Sequence, residues 1–413
     1  MEYSSSNALG AAAVYTNLAL AHRRVGKFVA GQPGDQIEHH RINQDGCVIV
    51  RVLVIFVLCV ACVSGRGEEA NADGWSLAVP GYQITLPLDH LPHYGFRTEW
   101  WYFTGNLRGK DGREFGYQVT FFRYGYRPVR KRIPMRSRFV MDDLKFAHFA
   151  VTDINNKQFH YDSHVSRGAF GEAGFGSGKR LAWIDNWELS YASDFHLHAA
   201  SANHSIDLQL KPTKPAVLEG ENGLSQKAAG IGRASYYYSI TRLTTSGSIT
   251  IGNDTHEVTG NSWFDREWAT NQLAEGQVGW NWFGIQFTDG SDLMLYQMRL
   301  RNGGIDPYSC GKWIDADGSI VDLGVNDFEL TSLKSWQSPS TKVSYPIEWT
   351  LRIPKLNLDL VIVPRVENQE LNLSVVYWEG AIKLRGERGN KPVDGVGYME
   401  LTGYRGATPG VKE

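Results

Sequence analysis

Beyond Asp73 the chain alternates apolar and polar positions with a period of two. Runs such as Phe115-Gly116-Tyr117-Gln118-Val119-Thr120-Phe121 and Trp349-Thr350-Leu351-Arg352-Ile353 are bounded by Gly, Pro, Asn or Asp. That pattern predicts half-buried strands separated by turns. The dipeptides Asp111-Gly112, Asp289-Gly290 and Asp317-Gly318 suit tight hairpin turns, which need a residue at ease with positive φ. No helical periodicity interrupts the pattern for more than about ten residues. Many short strands without βαβ spacing predict an all-β fold, a sandwich or a barrel.

The pattern also repeats. Trp101-Tyr102-Phe103, then Asp111-Gly112, then Gln118 is echoed by Trp282-Phe283-Gly284, Asp289-Gly290 and Gln297. Ile206-Asp207-Leu208-Gln209-Leu210-Lys211-Pro212 returns as Leu358-Asp359-Leu360-Val361-Ile362-Val363-Pro364, and His256-Glu257-Val258-Thr259-Gly260 as Met399-Glu400-Leu401-Thr402-Gly403. The order is the same in both halves, which predicts two tandem β-barrels, 75–270 and 271–413, from an internal duplication. The Gly/Ser/Lys-rich stretch 211–232 reads as a long surface loop in the first barrel.

The N-terminal region follows another logic. From Val48 to Val63 the chain is apolar apart from Arg51 and runs into Ser64-Gly65. It is too short to span a bilayer comfortably and fits a secretory signal or lipoprotein signal over 48–72. Residues 1–47 are then expected to be a non-native or disordered extension, with translation starting near Val48 or Val50. The run Leu58-Cys59-Val60-Ala61-Cys62 approaches a lipoprotein cleavage site, with Cys62 as the lipidated residue. The expected location is exported, periplasmic or envelope-associated. Only Cys310 falls inside the barrels, so no intrachain disulfide framework is expected.

Composition narrows the classes. The chain has 42 basic and 44 acidic residues, net charge −2, which argues against a nucleic-acid partner. Thirteen Trp, 18 Phe and 19 Tyr beside 44 Gly favour sheets and turns over bundles or coiled coils. Arg123, Arg127, Arg130, Lys131, Arg132, Arg136 and Arg138 form a run without an acid. It reads as a solvated loop or as a contact with anionic membrane headgroups. Several chemical patterns fail. No G-x-S-x-G elbow supplies a nucleophile, Gly178-Lys179 lacks the rest of a phosphate loop, and neither His160/His164 nor His196/His198 comes with a third metal-type ligand. Neither a metal nor a cofactor is expected.

One resemblance runs through the whole of this region. The segment from Leu88-Asp89-His90-Leu91-Pro92-His93 through Arg97-Thr98-Glu99-Trp100-Trp101-Tyr102-Phe103 resembles the lipocalin-like carotenoid 1,2-hydratase (hydroxyneurosporene synthase) and AttH family. Ala147-His148-Phe149, Asp185-Asn186-Trp187, Trp263-Phe264-Asp265-Arg266-Glu267-Trp268, Tyr377-Trp378-Glu379-Gly380 and Gly397-Tyr398-Met399-Glu400 continue it in order. The resemblance implies two lipocalin-like barrels and a hydro-lyase acting on a hydrophobic isoprenoid or polyene. The hydratases use a His upstream of the catalytic Asp, where this chain has Tyr236-Tyr237-Tyr238.

The residues themselves suggest an acid. On a strand, Trp263, Asp265 and Glu267 share one face, and Phe264, Arg266 and Trp268 the other. A carboxyl among aromatic rings loses hydration and keeps its proton to higher pH, and aromatic faces stabilise the carbocation that alkene protonation creates. Asp265 is the expected general acid, with Glu267 and His148 as further acid/base candidates. Trp263, Trp268, Trp100, Trp101, Tyr238, His93, Arg97 and Glu99 are the expected substrate-binding residues. Two alternatives stay open. Asp265 or Glu267 could instead pair with Arg266 or Arg97 to join the barrels, and the protein could be a non-catalytic lipid- or pigment-binding envelope protein.

Overall fold

A computed structural model describes residues 70–405, apart from 133–136, 138, 139 and 272. The extension 1–47 and all but the last three residues of the signal segment, with Cys47, Cys59 and Cys62, lie outside the described residues. Among the described residues, helical geometry is confined to short 3₁₀ turns at Leu88–His90, Val129–Lys131 and Pro354–Leu356.

Two antiparallel sheets hold the rest. The first begins with β1 (Thr98–Gly109), β2 (Glu114–Gly125), β3 (Asp143–Asp153) and β4 (Gln158–Ser166). It continues through β5 (Ala173–Ser177), β6 (Arg180–Ile184), β7 (Trp187–Tyr191), β8 (Phe195–Ala200) and β9 (His204–Pro212). The short β10 (Val217–Leu218) and β11 (Leu224–Gln226) precede the long β12 (Ala234–Ile251) and β13 (Asp254–Ala269). The second sheet starts with β14 (Gln277–Phe287), β15 (Asp292–Leu300), β16 (Cys310–Ile314), β17 (Ile320–Gly324) and β18 (Glu329–Gln337). It is completed by β19 (Ser344–Ile353), β20 (Leu358–Pro364), β21 (Glu370–Asn372), β22 (Val376–Arg388) and β23 (Lys391–Leu401).

Neighbours in the first sheet run β4-β3-β2-β1-β13-β12-β9-β8-β7-β6-β5, and in the second β17-β16-β15-β14-β23-β22-β20-β19-β18. The second path repeats the first as far as β7. The correspondence reaches single residues. Gly247 on β12 lies against the carbonyl of Asp207, and Gly386 on β22 against that of Asp359, so a Cβ at either would overlap the facing backbone. Those two aspartates come from the echoed segments. Gly112, Gly290 and Gly318 all take positive φ, as their hairpin turns require. The chain is therefore the all-β pair of lipocalin-like barrels that the sequence predicts.

Alternation along β1 and β13 sends one set of side chains into the first barrel and the other set outward. Trp101, Phe103, Phe264 and Trp268 join the first interior cluster. Phe283, Trp313, Tyr345 and Trp378 fill the second. Tyr102, Tyr237, Trp263, Trp282, Tyr296 and Tyr398 form a third cluster drawn from both sheets, so the facing strands are buried on both sides. Rings of this size bury about 150–250 Å² each, which makes the interface part of the hydrophobic framework. The stretch 211–232 departs from the expected surface loop. It carries β10 and β11, both paired with β12, and buries Val217, Glu219, Ser225 and Lys227. Its small polar residues suit close packing under the interface.

Candidate active site

The sequence Trp263-Phe264-Asp265-Arg266-Glu267-Trp268 lies wholly within β13, and its two faces are divided as the alternation predicts. Asp265 points into the interface and is 4% exposed. Three neutral donors hold it. The Tyr237 hydroxyl donates to Oδ2 at 2.6 Å, and the Ser239 hydroxyl and the Trp263 Nε1–H each donate to Oδ1 at 2.6 Å. Trp282 of the second barrel donates through Nε1 to the Tyr237 oxygen at 3.2 Å. No cation pairs with Asp265 among the described residues. Burial pushes its carboxyl up to about 7, against the three donors that favour the charged form, with Glu267 adding repulsion. The acid thus keeps its proton below about pH 7, in an aromatic, water-poor setting.

Four more carboxyls meet it there. Glu267, on the same face of β13, pairs with Lys227 Nζ at 3.3 Å. Glu219 is fully buried, and burial followed by the charge of Asp265 pushes it up to about 8. Glu400 on β23 accepts a hydrogen bond from Trp280 Nε1 at 2.9 Å. Burial raises it to about 7, opposed by that bond and aided by Glu267 and Asp265. Glu379 on β22 pairs across the sheet with Glu400 and is held well above the ordinary range by burial and by that neighbour. Trp263 and Trp282 meet edge to face at 6.0 Å, and Tyr102 and Trp282 at 5.3 Å. Trp100 packs at the margin of the same cluster.

Several predicted residues lie elsewhere. Trp101, Trp268 and Tyr238 point into the first barrel, on the opposite face from Asp265, and do not line its site. A strand buried on both sides offers no polar–apolar contrast to tell its faces apart. Glu99 and Arg266, both fully buried, pair with each other, and Glu99 also binds Arg123. Arg123 in turn reaches Asp143 at 2.8 Å. Arg266 stacks over Trp101 at 3.8 Å, and His93 lies flat on Trp268 at 3.8 Å while contacting Asp89 at 3.0 Å. Arg97 sits over Tyr124. Arg266 thus pairs within the first barrel, and neither Asp265 nor Glu267 uses it to join the two. Arg123 is no part of a solvated run, and Arg132 is tied to Asp143 at 2.8 Å. Arg136 and Arg138 lie outside the described residues.

His148 belongs to the interface but stands apart from the acid. Asp265 pairs with Tyr102, Tyr102 with Thr120, and Thr120 with His148, which puts them in one row with His148 three strands along. Its Nδ1 and the Tyr377 hydroxyl are 2.9 Å apart. Burial lowers the imidazole to about 4, so it is neutral near pH 7 and lacks the imidazolium proton a general acid would give. Glu219, Glu379 and Glu400 were not among the predicted candidates. Glu379 and Glu400 do stand in the strands that carry the family resemblance, whereas Glu219 sits in no motif.

Comparison with known proteins places this geometry. A family model described as AttH-like matches residues 77–404. A crystal structure attributed to AttH from Nitrosomonas europaea is 32% identical, covers 80% of this chain and 99% of its own, and superposes with a TM-score of 0.72. Kievitone hydratase from Nectria haematococca shares the fold at 16% identity, TM-score 0.61, with 81% and 98% coverage. Among characterised sequences, the dehydratase asqC of Emericella nidulans is 22% identical over 61% of this chain and 75% of its own length. Kievitone hydratase of Fusarium solani subsp. phaseoli is 21% identical over 63% and 75%.

Proposed function

The chain belongs to the AttH-like family, and on that premise we propose that it is a cofactor-free hydratase or dehydratase with Asp265 as its general acid. The observation that carries the proposal is the buried, protonated Asp265 held by Tyr237, Ser239 and Trp263. The names of the relatives, a dehydratase and a hydratase, support the reaction class. Hydration of an alkene begins when Asp265 gives its proton to one carbon. The cation left on the other carbon lies among the Trp263, Trp282 and Tyr102 rings, whose faces attract positive charge. Water then captures it and loses a proton. Dehydration runs the same steps backwards. A positioned acid of this kind contributes about 10²–10⁴-fold.

The substrate class proposed is a hydrophobic isoprenoid or polyene. The protein would act in the cell envelope after export on the 48–72 signal, either free or lipidated at Cys62, with the basic segment after Arg123 near the membrane surface. The test is incubation with isoprenoid and polyene alkenes and their tertiary alcohols, followed by mass spectrometry for gain or loss of water. Asp265→Asn should abolish turnover while ligand still binds. Binding without turnover in the wild type would leave a lipid or pigment carrier instead.

A further inference from the structure

Glu219 takes no part in that proton delivery, yet it is the most isolated acid of the interface. Among the described residues neither of its oxygens has a hydrogen-bond partner, and the Ser239 hydroxyl beside it directs its proton at Asp265. An ionised carboxylate left in this state is strongly disfavoured. The register puts it there. Val217 pairs with Ser239 and Leu218 with Tyr238, and the Glu219 N–H donates to the Tyr237 carbonyl at 3.0 Å. Alternation then sends the Glu219 side chain to the face shared by Tyr237, Ser239 and Asp265. Gly220 turns the chain at once, with φ of 65° and no room for a Cβ against Leu224 and Ser225, so Glu219 is pinned in place.

We propose that Glu219 and Asp265 form one proton-sharing pair bridged by the Ser239 hydroxyl, in which Glu219 is the positioning residue that reloads Asp265. The inference rests on the hydratase reading above. When Asp265 gives its proton to the substrate carbon, its carboxylate takes the Ser239 proton. The Ser239 oxygen takes the Glu219 proton in the same movement, and Glu219 is left as the carboxylate. The proton lost by the adding water returns to the pair, so no charge accumulates over a turnover. The groups facing the pair are Tyr237 on β12, Glu267 on β13, Lys227 after β11, Tyr296 on β15, Cys310 and Lys312 on β16, and Glu400 on β23. Lys227 and Lys312 restrain the rise of Glu219, and Asp265 adds to it.

The test is an infrared titration of the protonated-carboxyl stretch on the whole chain, comparing wild type with Glu219→Gln, Asp265→Asn, Ser239→Ala and Ser239→Thr. Glu219→Gln should remove one band present at neutral pH. In Asp265→Asn the Glu219 midpoint should fall by about one pH unit, the size expected of a coupled pair. Ser239→Ala should raise the Asp265 midpoint and Ser239→Thr restore it. A Glu219 midpoint unchanged by Asp265→Asn, or no band lost in Glu219→Gln, overturns the pair. If Asp265→Asn does not fold, equal midpoints in Ser239→Ala and wild type overturn it instead. The titration needs no substrate, so a chain without hydratase turnover can still pass it, and an active one can fail.

Discussion

Replacing Asp265 by Asn should make the protein more stable at mildly alkaline pH, despite the loss of a buried acid. The folded chain holds a proton on Asp265 up to about pH 7, whereas the ordinary carboxyl loses it near 3.8. The folded state therefore binds more protons than the unfolded one between those values. Stability falls as pH rises through that window and stays at the lower level above it. At about 1.4 kcal/mol per tenfold change in ionisation, the penalty approaches ~4 kcal/mol as an upper limit. An amide escapes it. Its oxygen can keep the Ser239 and Trp263 donors, but its NH₂ must donate to Tyr237, whose oxygen already accepts from Trp282. Re-aiming that phenol costs about 1–2 kcal/mol at every pH. The variant should thus be the less stable protein near pH 4 and the more stable one near pH 8. Urea unfolding of both proteins across that range reads the difference directly. A stability difference that does not change with pH would refute the buried, protonated Asp265.

Turnover should be highest below about pH 7 and decline above it by roughly tenfold per pH unit, because the acid must carry its proton; a rate rising through neutrality in a pH profile would contradict this. Glu99→Gln leaves Arg123 and Arg266, both fully buried, short of their shared counter-charge, and should cost about 3–5 kcal/mol in urea unfolding. Gly247→Ala places a Cβ against the Asp207 carbonyl at a φ of 149° and should cost about 1–3 kcal/mol, measured by thermal unfolding.

Local features were readable from the sequence. The period-two runs and the Asp-Gly turns became strands and hairpins, and the echo of 206–212 in 358–364 became the matched strands β9 and β20, because each depends on residues close in the chain. The other two echoes fall at different places on their strands, Trp101 facing the first barrel's interior and Trp282 the interface. The division of β13 into two faces was legible for the same reason. Which face met the second barrel was not, since aromatic side chains cover both. Arg123 read as one of a basic run because its partners Glu99 and Asp143 come from neighbouring strands. Glu219 was hidden more completely. Its stretch has the small polar composition of a loop, and only the pairing of β10 and β11 with β12 carries it into the interior.

The position of the acids follows from the duplication. In the matched sheet orders β13 corresponds to β23 and β12 to β22. The strand bearing Asp265 and Glu267 in one barrel thus corresponds to the strand bearing Glu400 in the other, and Glu379 stands on the counterpart of the β12 strand that supplies Tyr237 and Ser239. The third aromatic cluster draws on these same strands from both halves, so the interface brings acids together from equivalent places. In a single barrel those faces would meet water, and carboxyls there would ionise near their ordinary values. Packing two copies face to face strips the hydration and sets like charges against each other. Both effects raise carboxyl pKa values, as they do at Asp265, Glu379 and Glu400. Asp265 differs from the others in receiving three neutral donors. Those donors hold its rise to about 7, where an acid can both give up a proton and regain it near neutral pH.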